Sequence, residues 1–405
     1  MNKKFILVGA VALSPLAGNA QTENSQSSPE KINTTEIEIL YNHYLQDGNK
    51  SPVTGGEGTQ ELSVYGPSAN VTRTIDKNKI SINVGADLIT SASTDNINFI
   101  LSSASLHDTR GYFNAGYARE IGENNLTLSG GGGLSVESEY LSISQYLALS
   151  KASKDEMRNF SLKLQAYNDD LRWGRFSKKN GYEPTKLIYP QELRNQEWFD
   201  IYKRYSFQAN AGYTQILDKR NVLGIFLVSA LQSGLLSTPF HRVYFADGSL
   251  AVEKLPNRRY KNSLGLKWNR FTAGKVILKN TLNGYVDNFG IAAFSLKNET
   301  IIKLNYKWAV TPNARFYTQR GSRYFAPKSE HQSDAEFYTS DYDLSDFKAV
   351  TVGMGVRYRP IAEKRTWFKS VALRYFHYRQ STGLRAHALS FTADFKYKKR
   401  RKGKK

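Results

Sequence analysis

The feature that most constrains this chain is an alternation of apolar and polar residues that recurs along most of its length. Between residues 389 and 397, Leu, Phe, Ala, Phe and Tyr alternate with Ser, Thr, Asp and Lys. Because successive side chains of a β-strand point to opposite faces, each such segment predicts a strand with one apolar face. The same pattern recurs at 141–150, 160–166, 207–214, 302–308 and 352–358.

No apolar run in the chain approaches the roughly 18 residues that a membrane-spanning helix needs. The longest, Val222–Leu231, has ten residues. Lipid offers no partners for backbone hydrogen bonds, so strands can cross a membrane only as a closed barrel. The chain also has 25 Tyr and 21 Phe, and aromatic residues recur near the ends of the predicted strands, as in membrane-interface belts. We predict an all-β fold, a transmembrane antiparallel β-barrel of about 14–16 strands over residues 37–397. A soluble β-protein is the alternative.

The N-terminus has the pattern of a secretory signal peptide. Two lysines precede the apolar stretch Phe5–Leu13, and small residues before Ala20 form a cleavage site, so Gln21 should begin the mature chain. We therefore expect residues 1–20 to be a cleaved signal peptide and the polar residues 21–36 to be a disordered lead-in. Export and a barrel together predict the outer membrane of a Gram-negative cell, reached through the periplasm. The chain has no cysteine, which excludes disulfides, a lipid-modified cysteine and cysteine-based zinc sites.

The formal net charge is +20. Two of these charges lie in the leader and seven lie in residues 398–405, a run of lysine and arginine with one glycine. A basic protein first suggests nucleic acid, but export and the lack of a recognition motif argue against that partner. We predict that residues 398–405 are a solvated basic tail in the periplasm; a tether to anionic peptidoglycan or to an acidic periplasmic partner is the alternative.

The lengths of the connections predict an orientation, because outer-membrane barrels have short periplasmic turns and long outer loops. Tight joins are expected at Ile121–Asn125, Asp218–Asn221 and Trp308–Asn313, the last because of its Thr-Pro-Asn sequence. Long irregular stretches should lie at the outer end or fold into the lumen. They are 171–203, 234–260 and 321–348.

Two further patterns have simple structural interpretations. Gly130–Gly133 lacks the Lys-Ser or Lys-Thr that would follow a phosphate-binding loop, and it predicts a strand kink or a close approach of an inward-folded segment. The six histidines show no pair spaced four residues apart, so no helical zinc site is predicted.

Six segments share an order and character with one known family: 46–62, 87–97, 102–112, 189–194, 234–245 and 337–347. They resemble an uncharacterised bacterial outer-membrane family, known as domain of unknown function 3570. The resemblance implies an outer-membrane barrel. It also implies a genomic neighbourhood of exported thioredoxin-like proteins and flavin-attaching enzymes, and hence periplasmic or exported redox partners. The basic tail departs from the family, whose members usually end near the terminal aromatic residue.

The run 237–248 (STPFHRVYFADG) is the densest candidate for chemistry. His241 and Arg242 place a titratable imidazole beside a fixed cation, with Ser237 and Thr238 nearby. An outer-membrane hydrolase would need a serine activated by a histidine, although the sequence has no nucleophile elbow here. The alternative is an ordered outer loop in which Arg242 pairs with a carboxylate of the wall, or a loop that contacts a ligand.

A second candidate is the acidic run that contains Asp341, Asp343 and Asp346. Carboxylates two residues apart can share a hard cation such as calcium. The run lacks the central glycine and terminal glutamate of a full calcium loop, so a hydrated loop or a salt-bridge network in the lumen is the alternative.

A third candidate combines small hydroxyl groups with acids and one arginine near the N-terminus. Such residues suit a constriction or plug on a transport pathway, or a structural hydrogen-bond network inside the lumen. They are Asp87, Ser91, Asp95, His107, Asp108 and Arg110.

These observations predict an outer-membrane barrel that acts as a passive or gated conduit, or as a scaffold for exported redox or metal-handling partners. A hydrolase that uses the 237–242 loop and a purely structural, plugged barrel are the alternatives. We predict no catalytic residue, no metal site and no cofactor. The expected partners are outer-membrane lipid and periplasmic or exported redox proteins, and not nucleic acid.

Overall fold

The computed structural model describes residues 33–91, 107–122, 125–137, 140–171, 202–272, 274–361 and 367–398. These ranges contain eighteen strands and two single-turn 3-10 helices, Pro52–Thr54 and Tyr342–Leu344. No helix in the described ranges is long and apolar enough to cross a membrane. The strands are β1 Asn33–Asp47, β2 Leu62–Ile75, β3 Asn78–Ser91, β4 His107–Ile121, β5 Leu126–Glu137, β6 Tyr140–Ala152, β7 Arg158–Asp170, β8 Lys203–Ile216, β9 Asn221–Gly234, β10 Arg242–Tyr244, β11 Leu250–Val252, β12 Arg258–Thr272, β13 Val276–Asp287, β14 Ala292–Lys303, β15 Trp308–Arg320, β16 Phe347–Tyr358, β17 Phe368–Gln380 and β18 Arg385–Lys398.

Sixteen of these strands form one closed barrel. Every pair is antiparallel, and each strand lies beside its neighbours in sequence, except that β9 pairs directly with β12. The two strands skipped there, β10 and β11, form a separate two-stranded hairpin. The barrel closes where β1 pairs with β18 over fourteen residues, from Thr34↔Lys398 to Asp47↔Arg385. The predicted fold class is confirmed, at the upper end of the expected strand number.

The two faces of the barrel wall differ as the alternation predicts. On β6, Ile143 and Leu147 point outward and are 56% and 70% exposed, whereas Ser142 on the opposite face is buried. Outward faces of the same kind occur on β7, β8, β16 and β18. Leaving so many large apolar side chains in water would cost about 25 cal/mol for each Å² exposed. An apolar band around a closed, hydrogen-bonded barrel is instead the arrangement that lipid requires.

The connections differ between the two ends of the barrel. At the end where β1 begins and β18 ends, the joins are short, and those predicted at Ile121–Asn125 and Asp218–Asn221 are found there. At the opposite end, the long connections 235–257 and 321–346 fall within the predicted irregular stretches. Most of the third predicted stretch, 171–203, lies outside the described residues. The chain therefore has the short-turn and long-loop ends that are typical of outer-membrane barrels.

The tight join predicted at Trp308–Asn313 is wrong, because β15 already begins at Trp308. The turn is 304–307, where the Asn305 side chain accepts hydrogen bonds from the backbone N–H groups of Lys307 and Trp308. Pro312, which suggested a turn, lies where the β14–β15 ladder is interrupted between Glu299↔Asn313 and Ile302↔Val310. A proline has no N–H to donate and is tolerated at such a break. The strand expected over 302–308 consequently ends at Lys303.

The boundary of the expected lead-in also needs a correction. The barrel begins at Asn33 and not at residue 37, because residues 33–36 already pair with β2. Glu36 also forms an ion pair with Lys396 of β18, with 2.6 Å between Lys396 Nζ and Glu36 Oε1. Residues 1–32 and 399–405 lie outside the described residues, so the cleavage at Ala20–Gln21 and the basic tail stay predictions.

Gly130–Gly133 lies within β5. A close approach is found at Gly131, but it comes from the adjacent wall strands β4 and β6 and not from an inward-folded segment. A Cβ atom there would lie 2.7 Å from the Tyr146 ring and 2.8 Å from the Cα of Gly116, and it would collide with the carbonyl oxygen of Ala115. The glycine thus lets the Tyr146 ring lie flat against the inner wall.

We expect Gly131→Ala to destabilise the barrel by about 1–3 kcal/mol, the usual cost of forcing extra atoms into a packed site. The measurement is the midpoint of urea unfolding, followed by the heat-modifiable mobility of the barrel on gels. Gly111→Ala is the matched control, because nothing lies within 4 Å of a Cβ at that position. Equal midpoints for the two variants would show that the approach of Tyr146 does not constrain the fold.

Candidate functional site: a plug with a buried polar cluster

Three connections at the long-loop end pack against one another and against the inner wall. We call residues 48–61, 235–257 and 321–346 the plug. Isolated β-bridges join the second and third segments at Phe245↔His331 and Lys254↔Tyr338. The third segment contacts the wall at β15. The side-chain amide of Gln319 donates to the carbonyl oxygens of Asp343 and Ser345 at 3.0 and 2.6 Å. The third segment of the plug is therefore fixed to the inner wall at β15.

Apolar packing holds the plug together at two places. Leu255 and Leu344, from different segments, pack with Phe289 and Ile291 of the β13–β14 turn. Val243, Phe245 and Tyr338 form the second group, and burial raises the pKa of the Tyr338 phenol. Burying one aliphatic or aromatic side chain fully contributes roughly 1.5–3 kcal/mol to stability. Each of the two groups therefore stabilises the packing of the plug segments.

The first segment is joined to the third by an ion pair. Lys328 donates to the Glu57 carboxylate at 2.9 Å, and this hydrogen bond lowers the pKa of Glu57 below its ordinary value. Gly55 and Gly56 let the first segment approach the rings of Tyr244 and Tyr342. Cβ atoms at these two positions would overlap the rings, and both residues have a positive φ.

The centre of the plug is a buried cluster of one imidazole and two carboxylates. His241, Glu253 and Asp341 are 2%, 0% and 3% exposed. His241 Nδ1 lies 3.4 Å from Glu253 Oε1 and 3.8 Å from Asp341 Oδ2. The three candidate ligand atoms lie within 4.8 Å of one another, and in the described part of the chain this is the group with the composition and spacing of a metal site.

Two local structures bring the cluster together. The β10–β11 hairpin returns the chain so that the Glu253 N–H donates to the carbonyl oxygen of His241 at 3.1 Å. The bridge between Lys254 and Tyr338, with N–H···O distances of 3.1 and 2.8 Å, then positions Thr339 and Asp341. Arg242, beside the cluster, donates to the carbonyl oxygen of Pro239 at 3.0 Å.

Glu253 and Asp341 are also held by hydrogen-bond donors other than the imidazole. Glu253 Oε2 accepts from the Thr238 N–H at 2.6 Å, and Oε1 accepts from the Thr339 hydroxyl at 2.6 Å. Asp341 Oδ1 accepts from the Asp343 N–H at 3.0 Å. These bonds fix the carboxylate orientations, so that Oε1 and Oδ2 both face the imidazole.

The structure separates the three aspartates that the acidic run suggested as a shared cation site. Asp341 belongs to the buried cluster, whereas Asp346 accepts a hydrogen bond from the Gly321 N–H at 2.9 Å. Asp343 interacts electrostatically with Tyr44, Tyr317 and Tyr378 of the wall. A calcium site shared by Asp341, Asp343 and Asp346 is therefore not assembled, because each carboxylate faces different partners.

Three matching tyrosine–glutamine pairs line the wall below the plug. The Tyr hydroxyl donates to the Gln two residues later on the same inward face, at 2.6–2.8 Å. All three tyrosines lie near Asp343 on one side of the barrel. The spacing Tyr-x-Gln together with the inward face is the sequence signal for this group, because Tyr213–Gln215 has the same spacing on the outer face. The pairs are Tyr44–Gln46, Tyr317–Gln319 and Tyr378–Gln380.

The candidates near the N-terminus lie on β3 and β4. Asp87 and Arg110 are opposite each other on the inner face, with Arg110 Nε 3.3 Å from Asp87 Oδ2. Asp108 is buried on the same face. Ser91 ends β3 and His107 begins β4, and Asp95 lies outside the described residues. Asp87, Asp108 and Arg110 therefore lie on the inner face of the wall, and a role for this group in transport stays a prediction.

The geometry does not assemble a serine–histidine pair at residues 237–242. Ser237 Oγ accepts from the Leu255 N–H at 2.8 Å, and His241 Nδ1 faces the two carboxylates. His241 Nε2 is buried without a hydrogen-bond partner. A hydrolase would require Ser237 or another hydroxyl to donate to that nitrogen.

A basic patch lies on the inner wall of β12–β17. Lys279 and Lys297 reach Glu299 at 3.5 and 3.8 Å, and Lys297 lies directly opposite Arg315. The side chains of Lys279 and Lys297 point inward and are nevertheless 36% and 45% exposed, so water reaches the lumen at this height. We call Lys267, Lys279, Lys297, Arg315 and Arg374, which surround Glu299, the basic patch.

A closed sixteen-stranded barrel with an outward apolar band, short turns at one end and inward-folded loops at the other is an outer-membrane β-barrel. Residues 101–391 match the model of the family described as "Protein of unknown function (DUF3570)". The chain belongs to that family, as the segments quoted above predicted.

Solved structures with a similar fold are distant in sequence. A bacterial polysaccharide outer membrane secretin is 11% identical, with a TM-score of 0.45 and coverage of 90% of this chain and 98% of its own. A BenF-like porin from Pseudomonas fluorescens Pf-5 is 10% identical, with a TM-score of 0.41 and coverage of 90% and 99%. OccK2 of Pseudomonas aeruginosa, solved with glucuronate, is 12% identical, with a TM-score of 0.41 and coverage of 90% and 98%. No curated protein sequence matches this chain significantly.

Proposed function

We propose that this protein is an outer-membrane conduit for small anionic solutes, gated at its long-loop end by the plug. The observation that carries the proposal is the basic patch. Five inward-facing cations surround a single carboxylate, Glu299, so this stretch of wall carries a net positive charge.

A direct cross-strand pair of like charges supports an anion pathway. Lys297 opposite Arg315 is unfavourable in a wall whose only purpose is stability. A charged, low-dielectric channel wall instead concentrates mobile ions of the opposite sign and repels those of its own. Anions would therefore be enriched beside the basic patch, and the repulsion between the two cations would be offset by them.

Inward-facing carboxylates also occur, but at a different place. Glu36, Glu38 and Asp394 lie near the short-turn end of β1 and β18, where Lys396 pairs with Glu36. Asp394 lies on β18 four residues closer to the short-turn end than Ser390, the residue opposite Arg374 of β17, so anions could pass the basic patch on the β12–β17 side of the lumen.

The experiment is the reversal potential of the refolded, signal-free protein in a planar bilayer under a salt gradient. We expect anion selectivity in the wild type and a reversal of its sign when Lys267, Lys279 and Lys297 are all changed to glutamate. The matched control changes Lys154, Lys219 and Lys275, which lie in short turns, to glutamate and should leave selectivity unchanged. Cation selectivity in the wild type, or the same reversal potential in both triple variants, would reject the proposal.

A scaffold role toward exported redox proteins stays a prediction from the family resemblance. Its test is co-purification of such a protein with the intact barrel, and recovery of the barrel alone after gentle extraction and cross-linking would count against it.

A further inference from the structure

We propose that His241, Glu253 and Asp341 bind one divalent transition-metal ion that fastens the second plug segment to the third. The inference is independent of what the barrel conducts. It rests on the convergence of an imidazole nitrogen and two carboxylate oxygens from positions up to one hundred residues apart.

The spacing of the ligand atoms fits such an ion. Zinc binds His nitrogen and carboxylate oxygen at about 2.0–2.2 Å, which places neighbouring ligand atoms of a tetrahedral site about 3.3–3.6 Å apart. Nδ1 of His241 lies 3.4 Å from Glu253 Oε1 and 3.8 Å from Asp341 Oδ2. Small side-chain movements would therefore complete three bonds.

The donor set indicates which class of ion is bound. An imidazole nitrogen suits zinc, manganese, iron, cobalt and related ions, whereas calcium and magnesium prefer oxygen donors alone. Three protein ligands leave a position for water or for a further group.

The surroundings resemble the outer shell of known metal sites, in which hydrogen bonds hold each ligand in place. The Thr238 N–H and the Thr339 hydroxyl hold Glu253. The Asp343 N–H occupies Asp341 Oδ1 and leaves Oδ2 turned toward the imidazole. Both carboxylates are thus fixed before any ion arrives.

Electrostatics favours a cation at this place. Two carboxylates with less than 4% exposure and oxygens within 4.8 Å of each other repel strongly when both are ionised. A divalent ion offsets that repulsion more fully than a proton shared with the imidazole. The shared proton is the competing explanation that the experiment must exclude.

The consequence for the plug follows from the chain positions. His241 and Glu253 belong to the segment 235–257, and Asp341 belongs to 321–346. A bound ion would link these two segments, which otherwise meet through hydrogen bonds and the apolar groups.

The test is metal retention by the full-length mature barrel, refolded in detergent, treated with a chelator and then dialysed separately against Zn²⁺, Mn²⁺ or Co²⁺. We expect one ion per chain for at least one of the three metals, and for Co²⁺ a visible absorption spectrum with nitrogen and oxygen ligation. Asp341→Asn should weaken retention by at least about 100-fold, more than the loss of an outer-shell partner usually does. Asp346→Asn is the control in the same segment and should retain the ion.

Folding of each variant is checked by heat-modifiable gel mobility, and Glu253→Gln provides a second variant if Asp341→Asn does not fold. Wild-type protein that retains none of the three ions better than these variants would overturn the proposal and leave the shared proton as the explanation. Equal retention by the wild type and by every folded ligand variant would show that the ions bind elsewhere, and would overturn it as well.

Discussion

Replacing residues 236–256 with a five-residue Gly-Ser linker is expected to raise the single-channel conductance at least severalfold. Sixteen strands enclose a lumen wide enough for an aqueous channel unless other parts of the chain fill it. The replaced residues supply His241, Glu253 and Leu255, and with them the contacts that hold the third segment in place. β9 and β12 are adjacent in the barrel, so a short linker can join them without strain.

The matched control for this variant is Asp247→Ala. Asp247 lies at the exposed tip of the β10–β11 hairpin and bonds to Ser249, so its loss should leave conductance unchanged. A folded linker variant that conducts no better than the wild type would show that residues 236–256 do not obstruct the lumen.

A disulfide between Asn42→Cys and Ser390→Cys is expected to form almost completely and to link β1 covalently to β18. The two residues are directly opposite each other on β1 and β18 and both face the lumen. Opposite residues of antiparallel strands have Cα atoms about 4.5–5.5 Å apart, within the range of a disulfide. The cross-link would close a loop of nearly the whole barrel, with an expected stabilisation of the order of 5 kcal/mol.

The chain has no other cysteine, so non-reducing gels report this bond alone. The oxidised variant should keep a compact, fast-migrating form after boiling, and a reductant should abolish it. Asn42→Cys with Lys396→Cys is the control, because six residues of strand separate the partners by about 20 Å. Efficient cross-linking of the control, or none in the matched pair, would show that β1 and β18 are not joined in the register described.

The strands were predictable from the sequence because a lipid-facing wall imposes alternation on every segment. The period of two identified β16 and β18 directly, and short polar turns marked two of the joins. The failure at Pro312 has a local cause. Thr-Pro-Asn is turn chemistry in isolation. Only the pairing shows that these residues lie within β15, where the ladder with β14 is interrupted and the ladder with β16 is continuous.

The candidate site was predictable in part. His241 and Asp341 stood out separately as a titratable residue and as part of an acidic run, but their contact depends on two long connections that meet inside a barrel. Glu253 gave no signal, since a single glutamate beside a short apolar pair, Ala251 and Val252, looks like an ordinary loop residue. The partners of a buried charge are set by tertiary packing, which local patterns do not contain.

The seam between β1 and β18 has a consequence for how the protein is made. Its two strands are the first and the last of the barrel, so one edge of β1 has no partner until β18 is in place. Throughout that interval the nascent sheet carries two open edges, the arrangement most prone to pairing with foreign strands. A chain truncated before Arg385 would lack β18, so both edges of its sheet would stay unpaired and open to such contacts.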